Sequence, residues 1–283
     1  MKGPKWCRAR DALRQAIKPG DRIFFSIASG QPQTLLQALA EDFEFYRDVE
    51  VINGILLAEH PLAKKGMESS FRCISFQNSA SLRKDWEEGR IDFLPVRYSD
   101  VPRVFSRNGR KPLGAVLIQV APPDDQGRFS LGVSASHAYP LARQARTIIA
   151  EVNDQAPRTY GPCFFTEEQI DFLVECSAPL VPYREIQFGE TERRIAEFVA
   201  DLIPDGATIQ IGIGNLPAAI LKLLEHKQDL GFRMAYHVGY LFRGGGRIYA
   251  ASDATGRHGS QVTVKPFRAV VAQNRHPVAL LKP

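Results

Sequence analysis

Paired cysteines are missing from this sequence. The four present, Cys7, Cys73, Cys163 and Cys176, are widely spaced and form no C-x-x-C unit. That excludes a zinc knuckle and a disulfide framework and leaves idle or buried thiols. No histidine stands at ligand spacing from a Cys, Asp or Glu, and there is no G-x-S-x-G elbow, so neither a metal site nor a serine-hydrolase centre is expected. Long apolar runs are absent too: none approaches the ~18 residues of a membrane-spanning helix. The basic start MKGPKWCRARDALRQAIKPGDR lacks the apolar stretch of a secretory signal. A cytoplasmic protein with no membrane partner is the expectation. Acids run out near the end: from Gly231 to Pro283 eight basic residues face one acid, Asp253, whereas the preceding 230 residues hold 28 basic and 30 acidic side chains. The formal charge of +5 therefore belongs to the tail, and the body has no electrostatic reason to seek nucleic acid.

What is present is enough apolar material, 44% of 283 residues, to bury one or two α/β cores. Cys7 to Ile17 reads as a short amphipathic helix ended by Pro19-Gly20, followed by a β-rich run from Arg22 to Ala28. The segment TLLQALAEDF then places Leu35, Leu36 and Leu39 at helical spacing. Val49–Leu57, Phe71–Phe76 and Ala115–Val120 are short apolar stretches bounded by turn residues, as expected of strands covered on both faces. Helical patches lie between them, at Ser79–Gly89 and His137–Arg146, the latter leading into TIIAEVN. The alternation predicts an α/β fold with a mostly parallel sheet flanked by helices. Glu190–Leu202 is an amphipathic helix with Ile195, Phe198, Val199 and Leu202 on one face, and a domain boundary is placed just before it, between residues 185 and 186.

An internal repeat appears at an offset of 185 residues. GDRIFFSIASGQPQTLLQAL, from Gly20, aligns with DGATIQIGIGNLPAAILKLL, from Asp205. Pro32 falls on Pro217, Leu35 on Ile220, Leu36 on Leu221 and Leu39 on Leu224, so both read as strand, small-residue turn, proline, apolar helix.

Three constellations invite chemistry. The turn Gly212-Ile213-Gly214-Asn215-Leu216-Pro217 joins a strand to a helix, where free backbone N–H groups and the helix dipole suit an anionic or carbonyl-bearing ligand. Proline stands where the third glycine of a dinucleotide fingerprint would be, which weakens that reading, and a tight turn without a ligand fits equally well. IQVAPPDDQGRFSLGVS, Ile118 to Ser134, is a loop at the end of a buried strand, where open α/β sheets place ligands; a surface hairpin with solvated Asp124 and Asp125 is the alternative. EVNDQAPRTYG, Glu151 to Gly161, carries Asn153, Asp154, Gln155 and Arg158. Its amides could orient a carbonyl and Arg158 could hold a carboxylate or phosphate, or the segment is a capped loop.

In order, LIQVAPPDDQGRFSLGVS, EVNDQAPRTYG and LIPDGATIQIGIGNLPAAILKLLEHKQDLG resemble the acetyl-CoA hydrolase/transferase family, which includes acetate and 4-hydroxybutyrate CoA-transferases. The resemblance runs from about Asp21 to Phe232 and implies a CoA-transferase-like fold of two related α/β halves. It also implies a coenzyme A thioester as substrate rather than a bound cofactor, a small carboxylate as its partner, and a glutamate that attacks the thioester and carries CoA as a glutamyl thioester. Water attack would give hydrolysis, so water exclusion separates transferase from hydrolase. Carried over residue by residue, Gly212, Gly214, Asn215 and Pro217 would sit against the acyl-CoA, and Gln119 and Asn153 would line its pocket.

The departure comes where the nucleophile should fall. Residues 233–236 are Arg233, Met234, Ala235 and Tyr236, and no glutamate follows Glu225. The expectation is a truncated family member: an N-terminal domain over 1–185, an incomplete second α/β domain opening over 186–232, and a divergent, poorly ordered basic tail over 233–283, as a frameshift or disrupted gene would leave. Activity of such a chain is doubtful. The alternative is an acyl-CoA-binding or partner subunit completed by another chain, or working as a homo-oligomer.

Overall fold

The computed structural model describes residues 5–109, 112–159, 163–182, 187–212, 214–224 and 226–234, which belong to two compact units, Met1–Pro182 and Tyr183–Pro283. In the first unit the elements follow as β1 (Lys5–Trp6), α1 (Ala9–Ala16), β2 (Arg22–Phe25), α2 (Gln33–Glu41), β3 (Val49–Asn53), β4 (Phe71–Ser75), α3 (Arg83–Glu87) and β5 (Ile91–Phe93). Then come α4 (Val101–Val104), β6 (Ala115–Val120), β7 (Arg128–Ser130), α5 (Ala138–Ala142), β8 (Thr147–Asn153), β9 (Phe164–Thr166) and β10 (Phe172–Cys176).

Eight strands make one parallel sheet in the order β1-β10-β8-β6-β2-β3-β4-β5, with β7 and β9 as a separate antiparallel pair. From the central β2 the chain moves outward through β3, β4 and β5, then returns to β6 on the other flank. The direction reverses between β2 and β6, the topological switch point beside which open α/β sheets form their crevice.

Both faces of the sheet are covered, so its strands are apolar throughout rather than alternating. All six residues of β6 are buried. Ala115 and Leu117 face a core shared with Ile23, Phe25, Val49, Val51, Leu13 of α1 and Leu35, Leu36 and Leu39 of α2. Val116, Ile118 and Val120 face the opposite core, with Phe24, Ile52, Phe105 and Leu141 of α5. At the amino edge of the strands, Arg22, Glu50, Arg72 and Asp92 form a ladder of ion pairs across β2, β3, β4 and β5.

The expected elements are present with shifted ends. β2 stops at Phe25 rather than Ala28, because Ala28 takes φ +54° in a 3-10 turn, a backbone state incompatible with a strand. The helix expected over His137–Arg146 is only five residues long, since the chain must turn to pair Arg146 and Thr147 with Leu113 and Gly114 on the way into β8.

The second unit has α6 (Glu190–Asp201), β11 (Thr208–Ile211), α7 (Asn215–Leu223) and β12 (Gly231–Met234), with β11 and β12 parallel. Its apolar cluster joins Ala200 to Leu221, Leu224 and Leu230. On α6 the buried residues are Ala196 and Ala200, while Ile195, Phe198 and Leu202 are exposed; the packed side of the helix is its small-residue side. Arg233 and Met234, expected to begin the poorly ordered tail, lie in β12. Residues 235–283, with the rest of that expectation, lie outside the described residues, as do the boundary residues 183–186. The repeat is visible as two strand-turn-helix units, β2 to α2 and β11 to α7, in which Leu36 and Leu39 and their counterparts Leu221 and Leu224 are all buried. Pro32 precedes its helix, whereas Pro217 lies inside the first turn, where its missing N–H costs nothing.

Candidate functional site

Polar side chains, all but Cys176 buried, collect at the carboxyl ends of the parallel strands. Asn53 closes β3, Ser75 β4, Asn153 β8 and Cys176 β10, and Gln119 is the penultimate residue of β6. Gln119 and Asn153 are 5% and 1% exposed, and the fold brings them together: Asn153 Nδ2 donates to Gln119 Oε1 at 2.6 Å and to the Ala178 carbonyl at 2.8 Å. Gln119 Nε2 donates to the carbonyls of Ser29 and Gln31, each at 3.3 Å. Asn153 Oδ1 accepts the N–H groups of Gln155 and Ala178. Every N–H of the two amides is thus used internally, tying the turn after β2 to the loops after β8 and β10, with no amide donor left buried and unpaired.

Glu151 lies beside this pair, opposite Gln119 in the β6–β8 register. Its carboxylate is 1% exposed and accepts the Leu35 N–H of α2 at 3.0 Å. Burial raises its pKa, against the lowering effect of hydrogen bonds from Leu35 and Thr34. Next to it the Thr34 hydroxyl donates to Cys176 Sγ at 3.2 Å, and burial pushes the Cys176 thiol up to about 11, so it is an unreactive thiol near neutrality. On the other flank of β2, Asn53 Nδ2 donates to the Gly54 carbonyl and Ser75 Oγ, while Ser26 Oγ and Asn53 Oδ1 are buried without a protein hydrogen-bond partner.

Arg158, which by residue type could have held a ligand anion, is engaged. It pairs with Asp124 at 2.6 Å and donates to the carbonyls of Pro122 and Arg128. Asp124 also accepts the Arg128 and Gln126 N–H groups and the Arg128 guanidinium, which hold its carboxyl well below the usual range although burial opposes them. The loop after β6 is therefore an internally clamped turn. Asp154 and Gln155 follow Asn153 at its rim, where Gln155 reaches Ser177.

The remaining predicted positions belong to the second unit. Gly214 precedes α7 with φ +142°, a conformation that favours glycine. At Gly212 an added Cβ would meet nothing within 4 Å among the described residues. Asn215 and Pro217 form the first turn of α7. Ile213 lies outside the described residues. Among those that are described, no three of His, Cys, Asp and Glu converge as metal ligands, and no helix is long and apolar enough to cross a membrane.

Glu151, Gln31, Thr34 and Cys176 were not singled out from the sequence. A signal existed in the two buried strands that end in polar letters, TIIAEVN and FLVEC: an acid or amide closing an apolar run costs folding energy unless it is satisfied at the strand end.

A family model for the acetyl-CoA hydrolase/transferase N-terminal domain matches residues 5–183. The 4-hydroxybutyrate coenzyme A transferase of Clostridium kluyveri is 37% identical over 215 residues, covering 76% of this chain and 50% of that protein. Among solved structures, RipA from Yersinia pestis superposes with a TM-score of 0.72 at 26% identity, covering 81% of this chain and 56% of RipA. The 4-hydroxybutyrate CoA-transferase of Porphyromonas gingivalis gives 0.63 at 27%, covering 81% and 53%. The chain spans about half the length of the curated relatives it matches.

Proposed function

This chain belongs to the acetyl-CoA hydrolase/transferase family, and on that premise we propose that it binds an acyl-CoA thioester at the carboxyl edge of its parallel sheet, as part of an acyl-CoA:carboxylate CoA-transferase. The observation that carries the reading is that the matched segment, residues 5–183, contains the whole eight-stranded sheet and its buried Gln119–Asn153 pair. The internal pairing of Gln119 and Asn153 at the switch point suits a water-poor floor, which thioester chemistry needs if transfer is to outrun hydrolysis. The glycine turn of the second unit supports the same reading. Among the described residues nothing lies within 4 Å of where a Gly212 Cβ would be, as close backbone approach by a ligand would need, and Gly214, Asn215 and Pro217 stand at the amino end of α7, which suits an anionic or carbonyl group.

On this reading residues 1–185 form the acyl-CoA-handling domain, 186–232 open a second one, and the tail from 233 departs from the family. No glutamate follows Glu225, so the carboxylate that would carry CoA as a thioester is missing from its expected place. Loss of a covalent nucleophile costs orders of magnitude in rate. The chain works in the cytoplasm, alone as a homo-oligomer or with a complementing chain.

Purified protein incubated with acetyl-CoA and a panel of short carboxylates tests this, with transfer, thiol release and binding followed together. The expected result is saturable acetyl-CoA binding with negligible turnover. Acceptor-dependent transfer at an enzymatic rate would show that another carboxylate serves as nucleophile, and a folded sample that binds no acyl-CoA would refute the assignment. Turnover restored by a second, glutamate-bearing chain would identify the protein as one partner of a two-chain enzyme.

A further inference from the structure

The turn from Ser26 to Pro32 lies at the switch point; the Gly30 and Gln31 N–H groups bond back to the Ile27 and Ala28 carbonyls, and Ser134 Oγ and the Ile55 carbonyl hold Ile27 and Ala28 from outside, but none of these bonds reaches its exit into α2. It contains a residue at φ +54°, Ala28, and ends at Pro32, the N-cap of α2, which makes no side-chain cap. The first N–H groups of α2 therefore need an acceptor from elsewhere. Glu151 supplies it from β8, two strands away from β2 in the sheet.

We infer that Glu151 is the positioning residue of this turn: its buried carboxylate clamps the first turn of α2 and, with Gln119, holds the Ser26–Pro32 backbone in the shape presented to ligand. The division of labour is geometric. Gln119 takes the carbonyls of Ser29 and Gln31, Glu151 takes the N–H of Leu35 four residues on, and the two side chains stand opposite each other in the β6–β8 register. Thr34 and the Cys176 thiol complete the carboxylate's hydrogen bonds. The amino end of a helix stabilises a carboxylate, and such charge-assisted bonds are about twice as strong as neutral ones, which offsets the burial. At 1% exposure and with its oxygens engaged, Glu151 is not placed to attack a thioester. That the turn meets an acyl-CoA rests on the function proposed above.

The test compares the full wild-type chain with Glu151→Leu and Glu151→Gln by amide hydrogen exchange and by calorimetric binding of acetyl-CoA. In Glu151→Leu, peptides spanning residues 26–36 should exchange about tenfold faster while β6 and β8 are unchanged, as for a local opening rather than global unfolding. Acetyl-CoA affinity should fall about tenfold, the size of effect a mispositioned binding element gives. Glu151→Gln, which keeps an acceptor oxygen, should recover most of both losses, and it carries the comparison by itself if the leucine variant does not fold. Uniform loss of protection across the sheet, unaltered exchange at 26–32, or unaltered acetyl-CoA affinity overturns the assignment, because a carboxylate that only capped α2 would speed exchange at 33–36 and leave the turn and the affinity as they were. Should the wild type bind no acetyl-CoA, the proposed function fails, and the exchange pattern alone decides the role of Glu151.

Discussion

His60 and His137 are carried into the fold as neutral imidazoles. His60 is 2% exposed, its Nδ1 accepts the Leu62 N–H, and its ring packs edge-on to Phe25. His137 is fully buried, bonded through Nε2 to the Tyr98 carbonyl and stacked 3.8 Å from the Tyr98 ring. Burial lowers both pKa values to about 4. The folded state therefore binds fewer protons than the unfolded chain between about pH 4 and the ordinary imidazole value of 6.5, so stability falls as pH drops through that window, by up to about 3 kcal/mol per histidine. Glu151 acts in the opposite sense, because its raised pKa favours the protonated folded state. Asp42, held low by Arg14 and Arg10, loses its contribution only at more acidic pH. Urea midpoints at pH 7.5, 6 and 5 should decline, and His60→Gln with His137→Gln should flatten the slope. A flat wild-type profile would mean that the imidazoles are not buried as described.

At the scale of elements, the turn between β2 and α2 has little room to change. A Cβ on Gly30 would lie 2.6 Å from Ser134 Cβ, an atom close to its own backbone and unable to swing away. Gly30→Ala should therefore cost about 1–3 kcal/mol, as overpacking does, and weaken acyl-CoA binding as the turn shifts. Unchanged melting and binding would show that the turn yields freely. Much at this scale was legible in the sequence. Ala115–Val120 is a strand with the bounds its apolar run predicted, and Leu35, Leu36 and Leu39 are the buried stripe of α2, because hydrophobic periodicity and burial are the same physical fact. Short pieces were not legible: β1, β5 and β9 have two or three residues each, too few for any period. α6 was found in place but with its alanines inward, since small residues allow close helix contact and hydrophobicity alone does not say which face is packed. The candidate site was half legible. Gln119 and Asn153 were named through the family resemblance, Asn153 also from the amide-rich segment after its apolar run, whereas their bonding to each other, the cap by Glu151 and the use of Arg158 depend on residues about 30 to 120 positions apart meeting across strands.

For the molecule as a whole, the buried members of the two large apolar cores lie, among the described residues, between Ala12 and Val174, and the described part of the second unit contributes a cluster of four buried residues. A fragment of residues 1–182 is expected to fold alone, with a cooperative melt within about 3 °C of the full chain, a shift equivalent to about 1 kcal/mol. A fragment that aggregates or melts without cooperativity would mean that the first unit depends on the rest of the chain. The sheet itself has a further consequence. Because all eight strands run the same way, its ion-pair ladder lies along one rim and the loops that follow the strands along the other. Loops at the second rim can be exchanged one at a time during divergence, each opening onto the same crevice, without disturbing the charges or the two apolar layers. On the function proposed above, a family built on such a sheet can change the acid it accepts by small local steps, and the Ser26–Pro32 turn, held from β6 and β8, is where such a step would be hardest to take.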